Sequence, residues 1–236
     1  MKTLLTEIIK PHSGHHKHQN IVLEPYKSIY FFIPKVACTS LKKVISDTLD
    51  IPPYDPSQPD SYIHLRNFPY IRKSKIDKNY KMYFKFCFVR NPFDRIVSCY
   101  SNKISQDKTL NNEWFSNGVA RIFKKYKQAF WGGMRFENFL TSVANIDDNR
   151  ADPHFRSQWT TVVDNKNNYL PDFIGKFENL QKDFAFVTKK IGFPVNELPH
   201  LLKSDHKNYR NYYNEKTITL VRQRYARDLE MFSYDF

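Results

Sequence analysis

SIYFFIPKVACTSLKKVISDTL, residues 28–49, is the stretch on which the reading of the whole chain turns. Its opening run, Ser28–Ile33, is β-branched and aromatic and stops at Pro34, which marks a buried strand. From Thr39 to Leu49 the apolar residues Leu41, Val44, Ile45 and Leu49 recur at helical spacing, and Thr39 or Ser40 supplies a hydroxyl for the N-cap. The order is therefore strand, tight loop, helix. That order sets backbone N–H groups and the positive end of a helix beside the loop, where an anion binds. The loop is not the nucleotide G-x-x-x-x-G-K-[ST] motif, whose glycines are missing. It keeps the same physical parts: a lysine (Lys35) after the strand, small residues that let the backbone approach an anion, and a hydroxyl residue opening the helix.

Outward from this stretch the alternation continues. Met82–Val89 (MYFKFCFV) is a second buried strand, ended by Arg90-Asn91-Pro92, and Pro92 suits the first turn of a helix running to Lys103. Asp172–Phe177 predicts a third strand, followed by a helix over Glu178–Ile191. Aromatic-rich helices are expected over Glu113–Phe130 and Arg135–Ala144, and one amphipathic helix over Glu215–Phe232. Residues 50–80, with Pro52, Pro53, Pro56 and Pro59, read as an irregular excursion that could form a substrate wall. Apolar strands alternating with helices predict an α/β fold with a central parallel sheet flanked by helices in three layers. Residues 1–20, with a histidine cluster at 12–18, read as a poorly ordered lead-in, and 21–236 as a single domain.

Composition narrows the function. A formal charge of +13 favours a polyanionic partner: nucleic acid, anionic membrane, acidic polysaccharide or phosphorylated nucleotide. Cys38, Cys87 and Cys99 form no C-x-x-C pair, which argues against a disulfide framework or a zinc site and for reduced thiols. No stretch has the length of a membrane span or a signal-peptide core, so a cytoplasmic location is expected.

PKVACTS (34–40) resembles the 5′-phosphosulfate loop of the carbohydrate sulfotransferases of the chondroitin and dermatan type, where PKVACT is followed by Asn and Trp; here Ser40 and Leu41 stand in those places. FVRNPFDRIVS (88–98) resembles that family's 3′-phosphate motif, usually VRDPFERLVS, with Asn91 for its Asp and Asp94 for its Glu. DFIGKFENLQKDF (172–184) and RYARDLEMFSYDF (224–236) are similar to it as well. The two motifs in order, each at a strand-to-helix junction, make the resemblance specific. It extends from residue 28 onward and is weak over 50–80 and 105–150.

The resemblance implies a P-loop-like fold and transfer of a sulfuryl group from 3′-phosphoadenosine 5′-phosphosulfate (PAPS) to a carbohydrate hydroxyl by in-line displacement, in a microbial member of the family. A sulfuryl group in flight resembles a phosphoryl group, so positioning and electrostatic stabilisation should carry catalysis, with no metal required. The implied 5′-phosphosulfate site comprises Lys35, Val36, Ala37, Cys38, Thr39 and Ser40, with Lys35 also catalytic at the bridging oxygen. Arg90 and Ser98 are implied at the 3′-phosphate. Lys207 and Arg210, in the basic and aromatic segment 200–213, could add to that site or bind an anionic acceptor. For the general base, His154 partly matches a His-Trp-x-Pro-Gln-type segment through Gln158 and Trp159, while His64 and Glu178 are alternatives, and each also has an ordinary structural explanation. The charge favours an anionic glycan as acceptor; a small molecule or lipid-linked sugar is the alternative. A basic nucleic-acid-binding module is the competing class, although none of the standard signatures of specific nucleic-acid binding is present. A nucleotide kinase lacks its glycine loop here, and a catalytically silent relative that binds the desulfated nucleotide would keep the same motifs.

Overall fold

The computed structural model of the protein describes residues 20–53, 63–76, 80–199 and 208–236. The expected lead-in falls almost wholly outside them. The chain gathers into two compact units, each made from two stretches: Met1–Val89 with Thr161–Leu202, and Arg90–Thr160 with Lys203–Phe236.

The first unit is built on a four-stranded sheet of β1 (Asn20–Leu23), β2 (Ser28–Phe31), β3 (Phe84–Val89) and β4 (Phe173–Lys176), in that spatial order. β2, β3 and β4 are parallel, with Phe31 opposite Cys87 and Val89 opposite Lys176, so all three end at one edge of the sheet. The sheet is mixed, because β1 pairs antiparallel with β2 through the turn at Glu24–Lys27. Helices flank it, giving the expected α/β class. The buried aromatic runs that marked the strands now stack across them: Tyr30 lies on Phe86 with ring centroids 5.3 Å apart. Gly175 shows why β4 needs a glycine, since a Cβ there would meet the Phe88 ring at 2.6 Å. Helix α1 (Cys38–Thr48) follows β2 and buries Leu41, Val44 and Ile45. The excursion after it returns as the chain at Pro69–Ile71, which runs along the outer edge of β1 through Val22 N to Pro69 O (3.0 Å) and Ile71 N to Asn20 O (3.0 Å). That cover protects an edge that would otherwise be open.

The second unit opens with α2 (Pro92–Lys103), starting at the proline as expected. It packs into an aromatic core with Phe123, Phe130, Phe139, Phe155 and Tyr225. α3 (Phe136–Ala144) lies against a later helix, Glu215–Arg224.

Two expectations are corrected. Over Glu113–Phe130 there is no α-helix; a two-residue ribbon (Phe115–Ser116 with Val119–Ala120) leads into 3-10 turns over Arg121–Ala129, broken by a kink at Lys127. The Asn117-Gly118 turn, with both residues at positive φ, breaks the helical pattern there. The C-terminal helix is two helices, Glu215–Arg224 and Ala226–Phe232, interrupted at Tyr225 (φ −117°, ψ 24°). Tyr225 is fully buried and its hydroxyl donates to the Phe155 carbonyl at 2.6 Å, a tertiary demand that overrides helix continuity.

Candidate functional site

In the first unit the loop after β2 takes a conformation its residue types do not announce. Lys35 (φ 70°) and Ala37 (φ 48°) both lie in the left-handed region, flanking Val36, which is completely buried. Non-glycine residues held there cost about 1 kcal/mol or more each, and such strain gathers where a loop must present its backbone. The turn closes through Val36 N to Ile33 O at 3.3 Å. The helical ladder begins with Leu41 N to Ala37 O at 3.1 Å, which leaves the amides of Cys38, Thr39 and Ser40 ahead of it. The N-cap is Ala37, which has no side-chain acceptor, and no acidic residue stands in the first turn. The expected cap by Thr39 or Ser40 is therefore corrected: the helix starts one residue earlier than its apolar spacing suggests. An uncapped helix end with a half-buried lysine at the head of its loop has the donor chemistry to hold an anion.

Thr39 is engaged elsewhere. Its Oγ1 lies 3.2 Å from Nε2 of His64, which the excursion brings back to the loop on a 3-10 turn, Ile63–Leu65. The structure thus joins two residues singled out separately. When Nε2 carries the proton it donates to Thr39, freeing the hydroxyl hydrogen to point at an anion. The other tautomer reverses this and presents lone pairs.

Sequence reasoning missed Lys42. This residue, 1% exposed, lies with Nζ 3.8 Å from the centre of the Phe32 ring and donates to the Tyr70 hydroxyl at 2.9 Å. Burial pulls its pKa down to about 8. Its place beside Leu41 on the flank of the apolar stripe was the available signal. Glu178 sits exposed on a 3-10 turn after β4.

In the second unit Arg90 is 4% exposed, and its Nε donates to Asp94 Oδ2 at 2.7 Å, one helical turn on. This pair fixes the plane of the guanidinium. The Arg90 backbone is clamped on both sides by one buried amide: Gln158 accepts from its N–H at 3.0 Å and donates to its carbonyl at 2.8 Å. Gln158 and Trp159 in turn donate their backbone N–H groups to Asp228, each at 2.8 Å. Asp228 is wholly buried, and burial raises its carboxyl to about 6. Asn91 caps α2 by accepting from Phe93 N at 3.0 Å, as the family's Asp could, and its amide also donates to the Asp235 carbonyl at 2.7 Å, as an Asp could not. Ser98 is buried on α2.

His154, 8% exposed, has Nδ1 2.6 Å from Asp152 Oδ1. An ionised carboxylate only accepts, so Nδ1 carries the proton and the lone pair of neutral His154 is on Nε2. Arg95 braces this turn by donating to the carbonyls of Pro153 and Arg156, both at 2.8 Å. Arg210 stacks on Phe236 (4.6 Å) and Tyr209 (5.4 Å). Lys207 lies outside the described residues. Among the described residues no three His, Cys, Asp or Glu side chains gather as metal ligands, and no helix is long and apolar enough to cross a membrane.

The family model described as "Sulfotransferase family" matches residues 18–235. Carbohydrate sulfotransferase 11 of Rattus norvegicus is 29% identical over 188 residues, which cover 73% of this chain and 52% of that protein. Carbohydrate sulfotransferase 14 of Danio rerio is 26% identical over 231 residues (91% and 61%), and carbohydrate sulfotransferase 10 of Xenopus laevis 22% over 241 (90% and 66%). The chain thus spans about half to two thirds of the length of these curated relatives. No solved structure matches it. With nearly its whole length matched, and a strained, uncapped strand-to-helix loop where the first motif falls, the chain belongs to the sulfotransferase family.

Proposed function

We propose that this protein transfers a sulfuryl group from PAPS to a hydroxyl of a carbohydrate. The observation that carries the reading is the loop at 34–40: an uncapped helix end, two strained residues and a lysine, with no acidic side chain in the first turn to oppose an anion. These groups suit a phosphosulfate. PAPS supplies the activated sulfur–oxygen bond; the chain's own residues do the rest. The amides of Cys38, Thr39 and Ser40 hold the 5′-phosphosulfate, and the Lys35 ammonium neutralises charge that builds on the bridging oxygen as the sulfur–oxygen bond breaks. Arg90, its guanidinium plane set by Asp94, holds the 3′-phosphate with Ser98. His154 Nε2 takes the proton of the acceptor hydroxyl as its oxygen bonds to sulfur, and Asp152 holds the tautomer that makes this possible. His64 belongs to the donor side through Thr39. The charge of +13 favours an anionic acceptor.

Calorimetric titration with adenosine 3′,5′-bisphosphate (PAP), the desulfated product, tests the reading, with ATP and a short oligonucleotide as controls. PAP should bind tightly and ATP weakly. Arg90→Ala should lose most of the PAP affinity, whereas Lys35→Ala should slow turnover far more than it weakens PAP. Salt-sensitive oligonucleotide binding without PAP binding would replace this reading with a basic nucleic-acid module.

A further inference from the structure

The second unit carries a groove of about 390 Å³ that the donor chemistry does not use, within the size range of small-ligand clefts. Phe123 and Phe130, both buried, line it together with Lys124, Lys127, Gln128 and Trp131. Trp131 is 46% exposed, so much of its ring is open to solvent.

One wall of this groove is tightly packed. The Trp131-Gly132-Gly133 turn lies against Asn117-Gly118 so tightly that a Cβ on Gly132 would fall 2.3 Å from the Asn117 carbonyl oxygen. Gly133 N donates to Ser105 O at 2.6 Å and Ser105 N to Gly118 O at 2.8 Å, tying both turns to one strap. Lys127 is held at φ 51°, ψ −118°, outside the relaxed regions for a side chain of its kind. Lys124 and Lys127 both line the groove, although the chain is kinked at Lys127.

We infer that this groove is a subsite for an anionic sugar of the acceptor chain, an inference that rests on the sulfotransferase reading. An exposed indole offers a flat apolar platform to the C–H face of a pyranose. The amide side chains of Asn117 and Gln128 both donate and accept, as paired sugar hydroxyls require. The two ammonium groups match a carboxylate or sulfate on the sugar, and none of the described residues that line the groove is acidic. A neutral glycan would leave those cations without a role, and a polyanion without sugar rings would leave the indole without one.

The test titrates the full chain with an unsulfated chondroitin hexasaccharide, which bears a uronate on alternate sugars. Maltohexaose serves as the neutral sugar and short polyacrylate as the polyanion without rings. The hexasaccharide should bind the wild type and maltohexaose should not. Trp131→Ala, and separately Lys124→Ala with Lys127→Ala, should each weaken it by about tenfold, the scale of one anchoring residue. Trp131→Phe should recover most of the loss, which excludes a folding defect. PAP affinity should be unchanged in all of them. Absence of hexasaccharide binding to the wild type, or unaltered binding by Trp131→Ala, overturns the assignment. So does polyacrylate binding as tight as the hexasaccharide. Each of these results leaves PAP binding by the wild type to judge the sulfotransferase reading separately.

Discussion

Replacing Lys42 with methionine should make the protein more stable, although it removes a hydrogen bond. The ammonium is fully buried among Phe32, Phe68 and Tyr70 with one polar partner among the described residues, the Tyr70 hydroxyl. Its pKa falls from 10.5 to about 8 because burial disfavours the charged form. At 1.36 kcal/mol per unit, that fall makes the charged side chain destabilising by about 3 kcal/mol at neutral pH. Methionine fills a similar volume without the charge but strands the buried Tyr70 hydroxyl, at a cost of about 1–3 kcal/mol. Lys42→Met alone should therefore gain about 1 kcal/mol, and Lys42→Met with Tyr70→Phe about 3. The pH dependence has a definite sign. The folded-state pKa lies below the unfolded one, so between pH 8 and 10.5 the unfolded chain holds the extra proton. Wild-type stability climbs through that window, and the advantage of the double variant should shrink by roughly half between neutral pH and pH ~9.5. Urea unfolding followed by tryptophan fluorescence at both pH values reads this directly. A double variant less stable than wild type at neutral pH would refute the reasoning, because the ring contacts of the ammonium would then outweigh its burial.

His64→Ala should lower PAP affinity by about tenfold, the worth of one oriented hydroxyl on a charged phosphate, while His64→Gln, whose amide can still donate to Thr39 from a similar reach, should stay within about threefold. Equal losses in the two variants would show that His64 does not orient Thr39. Asp152→Asn should cut PAP release from PAPS in the presence of chondroitin by at least about a hundredfold, leaving PAP affinity intact, because the amide can donate to Nδ1 and so favour the His154 tautomer whose proton sits on Nε2. Near-normal turnover in Asp152→Asn or in His154→Ala would remove His154 as the base.

Local physics in the sequence alone was enough to set out the strand, loop and helix of the candidate site. The strand that stops at Pro34, the loop headed by Lys35 and the helix beyond it are written in adjacent residues, as are Arg90, the Asn91 cap and Pro92 at the start of α2. Dihedral preference, capping and apolar periodicity act over a few residues, so a linear reading can find them. Only the tertiary structure decided the rest. β1 has four residues and no alternation, and it becomes a strand because β2 on one side and Pro69–Ile71 on the other supply its hydrogen bonds. The Asn117-Gly118 turn defeats a helical pattern over Glu113–Phe130, and the burial of Tyr225 divides the last helix. Thr39 meets His64 across 25 residues, Lys42 meets Tyr70 across 28, and Asp228 meets Gln158 across 70. Such pairings depend on which distant segments the fold packs together and how deeply. Lys42, on the flank of an apolar stripe, becomes a buried cation only when that packing closes over it.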